Sequence, residues 1–292
     1  MQRLKGKVVL VTGASRGAGR GIALVLGAEG ATVYVTGRSV KADSTRPDLA
    51  SATIDDTAEQ VTARGGVGIP VRCDHTVDEQ VGALFEQVRR EQSRLDVLVN
   101  NVWGGYEGYG SDAAFDVPFW EQPTWRWDKM FTAGVRAHFT ASRLAVPLMA
   151  PQRRGLIVNT TFWDRGKCLS NLPYDLAKTA INRMAYVMAL ELREHNVAAL
   201  ALSPGWMRTE SVLRHYGLAP DDPDFMQVEG LERTESVYYI GRAVAALASD
   251  PNVMQKSGRI LTVGELAREY GFTDVDGRQP PTYRMSEESL RD

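Results

Sequence analysis

Tyr174 and Lys178 lie four positions apart, so on a helix they share one face, a turn from each other. An ammonium close to a phenol favours the phenolate. A phenol tuned in this way gives a proton to a carbonyl oxygen, or takes one from an alcohol in the reverse direction. Taken alone, the pair reads equally well as two surface residues. A second grouping, Thr12-Gly13-Ala14-Ser15-Arg16-Gly17-Ala18-Gly19, follows the apolar run Val8-Val9-Leu10-Val11 and precedes a helical pattern through Ile22, Leu24, Val25 and Leu26. Glycines give such a turn its backbone freedom and close approach, and the helix N-terminus offers N–H groups and a positive dipole to a pyrophosphate. A glycine cluster alone is a tight turn; between a strand and a helix it predicts dinucleotide binding. An acidic residue after the next strand would accept ribose hydroxyls and favour NAD. This chain has Gly37-Arg38 there, and Arg16 in the glycine turn. Two guanidinium groups suit a 2'-phosphate, so the reading is NADP(H); the alternative is two solvated arginines. Asp74 ends the third strand and either accepts from the adenine amino group or caps the next helix.

These residues need a scaffold that brings them together. Strand-like runs are predicted at Val8–Thr12, Thr32–Thr36, Gly68–Cys73, Leu95–Asn100, Leu156–Thr161, Val197–Leu202 and Arg259–Val263. Helical patterns end near Arg64 and cover Glu79–Glu91, Arg126–Met149, Tyr174–Glu194 and Glu235–Ser249. Continuous apolar strands alternating with helices predict an α/β fold: a doubly wound parallel seven-stranded Rossmann-type sheet with helices on both faces. The chain shows no repeat and no Gly/Ser linker, so 1–292 reads as one domain. Segments 103–124 and 206–234 exceed ordinary connections; both follow C-terminal strand ends, where open α/β sheets bind ligands. The second, with Pro220, Asp221-Asp222 and Pro223, is either a lid or a static packing element. Residues 265–292 form a C-terminal extension.

Composition narrows the classes further. Among 292 residues, 34 Lys and Arg against 36 Asp and Glu give a net charge of -2, which argues against a broadly basic nucleic-acid surface. Cys73, Cys168 and the four histidines are scattered, with neither metal-ligand spacing nor a disulfide framework. No apolar run approaches the roughly 20 residues of a membrane span, and the first strand begins too early for a signal peptide. The expectation is a cytoplasmic, metal-free protein.

Taken together, the motifs resemble the short-chain dehydrogenase/reductase family. The glycine turn matches its TGxxxGxG, Tyr174-Asp175-Leu176-Ala177-Lys178 matches YxxxK, and Asn100-Asn101-Val102 is similar to NNAG, with Trp103-Gly104 out of register. Pro204-Gly205 with Thr209 resembles the segment that packs under the nicotinamide. The resemblance spans about Leu4 to Gly264 and implies that Asn101, Pro204, Gly205, Thr209 and Lys178 serve the cofactor. It also implies that Tyr174 is the proton donor, and that Thr161, thirteen residues earlier, stands where the family has serine. Threonine keeps the hydroxyl, with Thr160 as the rival. Aligning on Trp127-Asp128 puts Gly134 where the family has an asparagine that serves a proton relay. That departure, with Glu269-Tyr270-Gly271-Phe272 and Asp274-Val275-Asp276-Gly277-Arg278 in the tail, is similar to the family's subgroup called member one. This implies NADPH-dependent reduction of a ketone or aldehyde. The alternatives are a cofactor-binding regulatory protein that has lost catalysis, or an epimerase or dehydratase of the same family.

Trp103, Trp163 and Trp206 each follow a strand end and are the expected substrate wall; Tyr106, Tyr109, Phe115, Phe119, Trp120, Met207 and Phe225 either join it or fasten the loops. An apolar wall suits a small hydrophobic carbonyl compound. Ile181, Met184, Ala185, Met188 and Leu192 give the long helix more apolar surface than its own sheet consumes. Together with the resemblance, this implies a homodimer or homotetramer.

Overall fold

The apolar runs become the strands β1 (Val8–Val11), β2 (Thr32–Gly37), β3 (Val67–Arg72), β4 (Val97–Asn100), β5 (Gly155–Thr160) and β6 (Val197–Ser203), followed by the two-residue β7 (Met207–Arg208) and β8 (Glu235–Ser236) and by β9 (Ile260–Thr262). The computed structural model describes residues 2–45, 49, 52–106, 115, 117–219 and 223–285; Tyr109, Pro220 and Asp221-Asp222 lie outside the described residues. Seven strands form one sheet in the order β3-β2-β1-β4-β5-β6-β9, every pair parallel. Edge strand β3 has no buried residue and carries Pro70, which an edge tolerates because its missing N–H would face solvent.

Strand parity sorts the side chains into two layers. Val9, Val11, Val33, Val35, Val97, Val99 and Val158 pack on α1 (Gly17–Ala28), α2 (Ile54–Ala63), α8 (Val237–Ser249) and α9 (Val263–Tyr270). Val8, Leu10, Tyr34, Leu98 and Ile157 pack on α3 (Asp78–Gln92), α5 (Ala137–Met149) and α6 (Leu172–Glu191). Helices therefore cover both faces, as the apolar strands require. The helical stretch predicted before β5 is continuous but not uniform: α4 (Thr124–Lys129) runs into a π-helix, Met130–Arg136, and then α5.

Two expectations change in detail. Glu235 and Ser236 form β8 rather than the first turn of α8. The C-terminal extension begins within α9 (Val263–Tyr270), where Val263, Leu266 and Ala267 are buried. Four of the five apolar residues expected to be surplus on the long helix also belong to this chain's own core; Met184 is half-buried. Ile181, Ala185 and Leu192 are buried, and Met188 packs on the sheet layer. The apolar residues that α6 exposes are instead Leu172, Leu176, Tyr186, Val187 and Leu190.

The strand order reverses between β1 and β4, each leading away from the centre on its own side. Such a switch point opens a crevice at the C-terminal strand ends, and there the glycine turn after β1 meets the Asn100-Asn101 segment after β4.

Candidate active site

The glycine turn is braced from two strands. The Thr12 hydroxyl accepts from the Asn101 and Val102 amides at 2.8 and 3.1 Å, and the Asn101 side chain donates to the Thr12 and Gly13 carbonyls, both at 3.0 Å. Gly13 and Gly17 have φ of +65° and +56°, where a side chain is strained. A Cβ on Gly13 would also stand 2.9 Å from the Val102 Cα. Ser15 is buried, Arg16 and Ala18 are half-buried, and Gly19 lies against the Gly13 carbonyl. The Gly17 N–H, at the start of α1, donates to Glu210 Oε2 at 2.9 Å. An anionic oxygen thus sits at the helix N-terminus, so this cradle fits a dinucleotide phosphate on the evidence of its own donor.

The neighbours expected around the adenosine end are present at the strand edge. Arg38 is exposed, with Nη1 3.9 Å from Asp74 Oδ2. Asp74 Oδ1 accepts from the Thr76 amide and hydroxyl at 2.9 and 2.7 Å. Burial pushes its carboxyl up, but those bonds and Arg38 outweigh it and leave the carboxyl below its ordinary range. Asp74 therefore closes the turn before the next helix, Asp78–Gln92, and does not cap it: the cap position is Val77, with no side-chain cap. Behind it, Thr36 Oγ1 lies 2.8 Å from Nε2 of buried His75, whose ring burial holds down to about 4.

Helix α6 delivers the tyrosine and lysine. Asn171 caps it by accepting from the Tyr174 amide at 3.0 Å, and Pro173 occupies its first turn, where a missing N–H costs nothing. Tyr174 is buried among aromatic rings: Trp103 meets it edge-on at 5.6 Å, Phe115 at 5.9 Å and Tyr106 at 6.0 Å. Met130, Leu169, Ala177 and Met285 complete that cluster. The Lys178 Nζ is 3.6 Å from the Trp103 ring centroid and 5.4 Å from that of Tyr174. Burial pulls Lys178 down to about 7. The lowering of the Tyr174 phenol expected from the pair is absent in this arrangement. Burial pushes it well above its ordinary value, with Tyr106 adding to the effect, and the ammonium is turned to the indole face. Buried Thr161 donates through 3.4 Å contacts to the carbonyls of Lys178 and Phe162, so its hydroxyl is directed at backbone rather than at Tyr174. Thr160 is half-buried at the end of β5.

The other tryptophans divide. Trp163 lines a small cleft with Ser203, Pro204, Gly205 and Tyr283, and its amide donates to the Ser203 hydroxyl at 3.0 Å. Trp206 is exposed, with its ring near Gly230 of its own segment. Thr209 caps α7 (Glu210–His215), accepting from the Val212 amide at 3.3 Å. Phe225 lies under the Arg208 guanidinium at 3.8 Å, which fastens the 206–234 segment. Arg208 in turn faces Asp274 at 3.4 Å, and Asp274 accepts from the Ser236 amide at 2.7 Å. Arg126 is fully buried, with its guanidinium 5.0 Å from the Phe115 ring, rather than solvated as its position in the helix suggests.

Several residues at this edge carry no signal in the sequence. Glu210 reaches the glycine turn from 193 residues away. Buried Asp164 accepts from the Met285 amide at 2.8 Å and from Arg284 at 3.3 Å, tying the tail to the site. Glu235, beneath Gly205, is pushed up to about 8 by burial; the Gly205 amide opposes that rise and Asp274 adds to it. His138 Nε2 lies 3.1 Å from the Val102 carbonyl, and burial holds its ring down to about 3.

Residues 7–215 match the short chain dehydrogenase family. The chain belongs to the short-chain dehydrogenases. It is 40% identical over 284 residues to mouse "Dehydrogenase/reductase SDR family member 1", covering 96% of this chain and 87% of that protein. The 7alpha-hydroxysteroid dehydrogenase of Clostridium sardiniense is 31% identical over 216 residues, 74% of this chain and 76% of that protein. A solved short chain dehydrogenase from Mycobacterium thermoresistibile superposes with a TM-score of 0.79 at 25% identity, covering 95% of this chain and 92% of that one. As a short-chain dehydrogenase the protein is an oxidoreductase of the dinucleotide-dependent kind. Among the described residues no helix is long and apolar enough to cross a membrane.

Proposed function

We propose that this protein uses NADPH to reduce a ketone or aldehyde carbonyl on a small, hydrophobic substrate. The observation that carries the reading is the buried Tyr174–Lys178 pair, one turn apart on α6, at the strand edge that also holds the glycine turn. A bound nicotinamide supplies the hydride that the carbonyl carbon receives. The protein's own residues do the rest. Gly13, Ser15, Gly17, Ala18 and Gly19 hold the phosphates, and Arg16 and Arg38 favour the 2'-phosphate. Pro204, Gly205, Asn101 and Thr209 shape the nicotinamide end. Tyr174 donates its phenolic proton to the carbonyl oxygen, and the Lys178 ammonium stabilises the phenolate left behind. Thr161 turns its hydroxyl from the α6 backbone to the substrate oxygen. The 7alpha-hydroxysteroid dehydrogenase relative acts, by its name, on the hydroxyl of an apolar steroid, and that apolar character agrees with the rings of Trp103, Tyr106 and Phe115 around Tyr174. Copies of the chain associate through the exposed apolar residues of α6, in the cytoplasm.

A panel of aldehydes and ketones offered with NADPH and with NADH tests this reading. Net NADPH oxidation with an apolar carbonyl compound is expected. Tight NADPH binding without turnover across the panel would favour the regulatory alternative, and isomerised product without net cofactor consumption would favour an epimerase.

A further inference from the structure

We infer that Trp103 is a positioning residue for Lys178: its indole, seated on the bare backbone of Gly134, presents a ring face that holds the lysine ammonium one helical turn from Tyr174. The consequence for catalysis rests on the carbonyl-reductase reading; the geometry and its test do not.

The Lys178 Nζ stands 3.6 Å from the Trp103 centroid, well inside the range of about 6 Å over which a ring face attracts a cation. Against Gly134 the indole has no room to spare. A Cβ on Gly134 would lie 2.6 Å from its Cζ3 and 2.8 Å from its Cε3, so a side chain at 134 would evict the ring. Gly134 belongs to the π-helix Met130–Arg136, a local rewinding often found at functional sites. The edge of the same indole meets the Tyr174 ring at 5.6 Å and 82°. Trp103 Nε1 is buried with no hydrogen-bond partner among the described residues. A buried indole N–H without a partner carries a cost, so what this ring gains here lies in its face and not in its N–H.

The groups around Lys178 leave the indole the principal one that favours a charge. Tyr174 precedes it on α6, and burial keeps that phenol protonated. His138 on α5 is uncharged at neutral pH because burial holds it down to about 3, and the lysine charge itself contributes to that lowering. From β5 the Thr161 hydroxyl addresses the Lys178 carbonyl rather than its ammonium. Burial pulls Lys178 to about 7, and among the described residues no carboxylate offsets it. The negative ring face opposes that pull, since it attracts the ammonium and has no comparable attraction for the amine. Only the charged lysine can favour a phenolate on Tyr174. In this chain a tryptophan–glycine pair thus takes over the support of the lysine at the point where the family resemblance leads one to look for an asparagine.

The test is a proton titration of Lys178 in the full-length chain, followed by NMR of ¹³Cε-labelled lysines and assigned by the signal missing from Lys178→Met. Trp103→Leu should move the Lys178 midpoint down by about one pH unit, the equivalent of a desolvated cation–π contact. Trp103→Phe keeps a ring face and should recover at least half of that shift. Gly134→Ala, which leaves the indole chemically intact but pushes it aside, should shift the midpoint in the same direction. Combining Gly134→Ala with Trp103→Leu should add nothing beyond Trp103→Leu alone. A midpoint unmoved in Trp103→Leu with native circular dichroism would overturn the inference. If Trp103→Leu fails to fold, an unmoved midpoint in Gly134→Ala would do so instead. The titration needs no turnover, so a chain inactive on every carbonyl compound would refute the reductase reading while leaving this result to stand or fall separately.

Discussion

Glu235 gives the site a specific dependence of stability on pH. Its carboxyl is almost wholly buried between Gly205 and Asp274, one oxygen lacks a partner among the described residues, and burial pushes it up to about 8. An unfolded glutamate titrates at about 4.3. A folded value raised above the unfolded one means that the stability it confers is complete below about pH 4. That stability is then lost progressively as pH rises through about 8. At about 1.36 kcal/mol per pH unit, the interval corresponds to roughly 4–5 kcal/mol, a large part of the usual 5–15 kcal/mol of a folded domain. Glu235→Gln has nearly the same shape, stays neutral at every pH, and should remove this contribution. The assay is urea denaturation of both proteins at pH 5 and pH 9. The wild type is expected to lose about 3–5 kcal/mol more than the variant between the two. His75 and His138, held down to about 4 and about 3 by burial, act in acid and are common to both proteins, so they cancel in the comparison. Parallel curves for wild type and Glu235→Gln would refute the reasoning.

Other outcomes follow from the same edge of the sheet. Glu210→Gln removes the carboxylate that accepts from the Gly17 amide, so NADPH should bind about two- to fivefold more tightly by calorimetry; weaker binding would show that Glu210 assists the cofactor instead. Arg38→Ala should raise the KM for NADPH roughly tenfold or more while leaving that for NADH nearly unchanged, since a charge-assisted contact is worth about 1.5–3 kcal/mol. Equal effects on both cofactors would remove Arg38 from the 2'-phosphate site. Asp164→Ala releases the Met285 amide and Arg284, so limited proteolysis should cut near the tail much faster than in the wild type; an unchanged digestion pattern would show that other contacts hold it.

The sheet was legible because parallel strands buried on both faces must be apolar throughout, and the runs from Val8 to Val11 and from Val197 to Leu202 satisfy this without interruption. The glycine turn and the Tyr174–Lys178 spacing were legible because each is local: a few consecutive residues state the backbone conformation or the shared helix face. What escaped the sequence is long-range. Nothing near Glu210 announces a glycine turn 193 residues away. Asp164 stands beside Arg165 in the chain, yet it receives the tail amide 121 positions on. Glu235 follows the helical pattern of the residues after it, but pairing with Met207 makes it a strand. Trp103 and Gly134 were each conspicuous alone, one as a bulky residue where a glycine is usual and the other as a missing side chain. Only the fold shows that they fill one volume. In the tail, Tyr270 and Phe272 pack against the core beside α1 and α8, and Met285 reaches the aromatic cluster around Tyr174.

The central claim is that Tyr174 gives the proton in a NADPH-driven carbonyl reduction. The most direct measurement is single-turnover NADPH oxidation, at saturating cofactor and with the best carbonyl compound of the panel, by wild type and by Tyr174→Phe. The account predicts that the phenylalanine variant binds NADPH with wild-type affinity and reduces the substrate about a hundredfold to ten-thousandfold more slowly, the usual weight of a positioned general acid. A variant that turns over at the wild-type rate would contradict it.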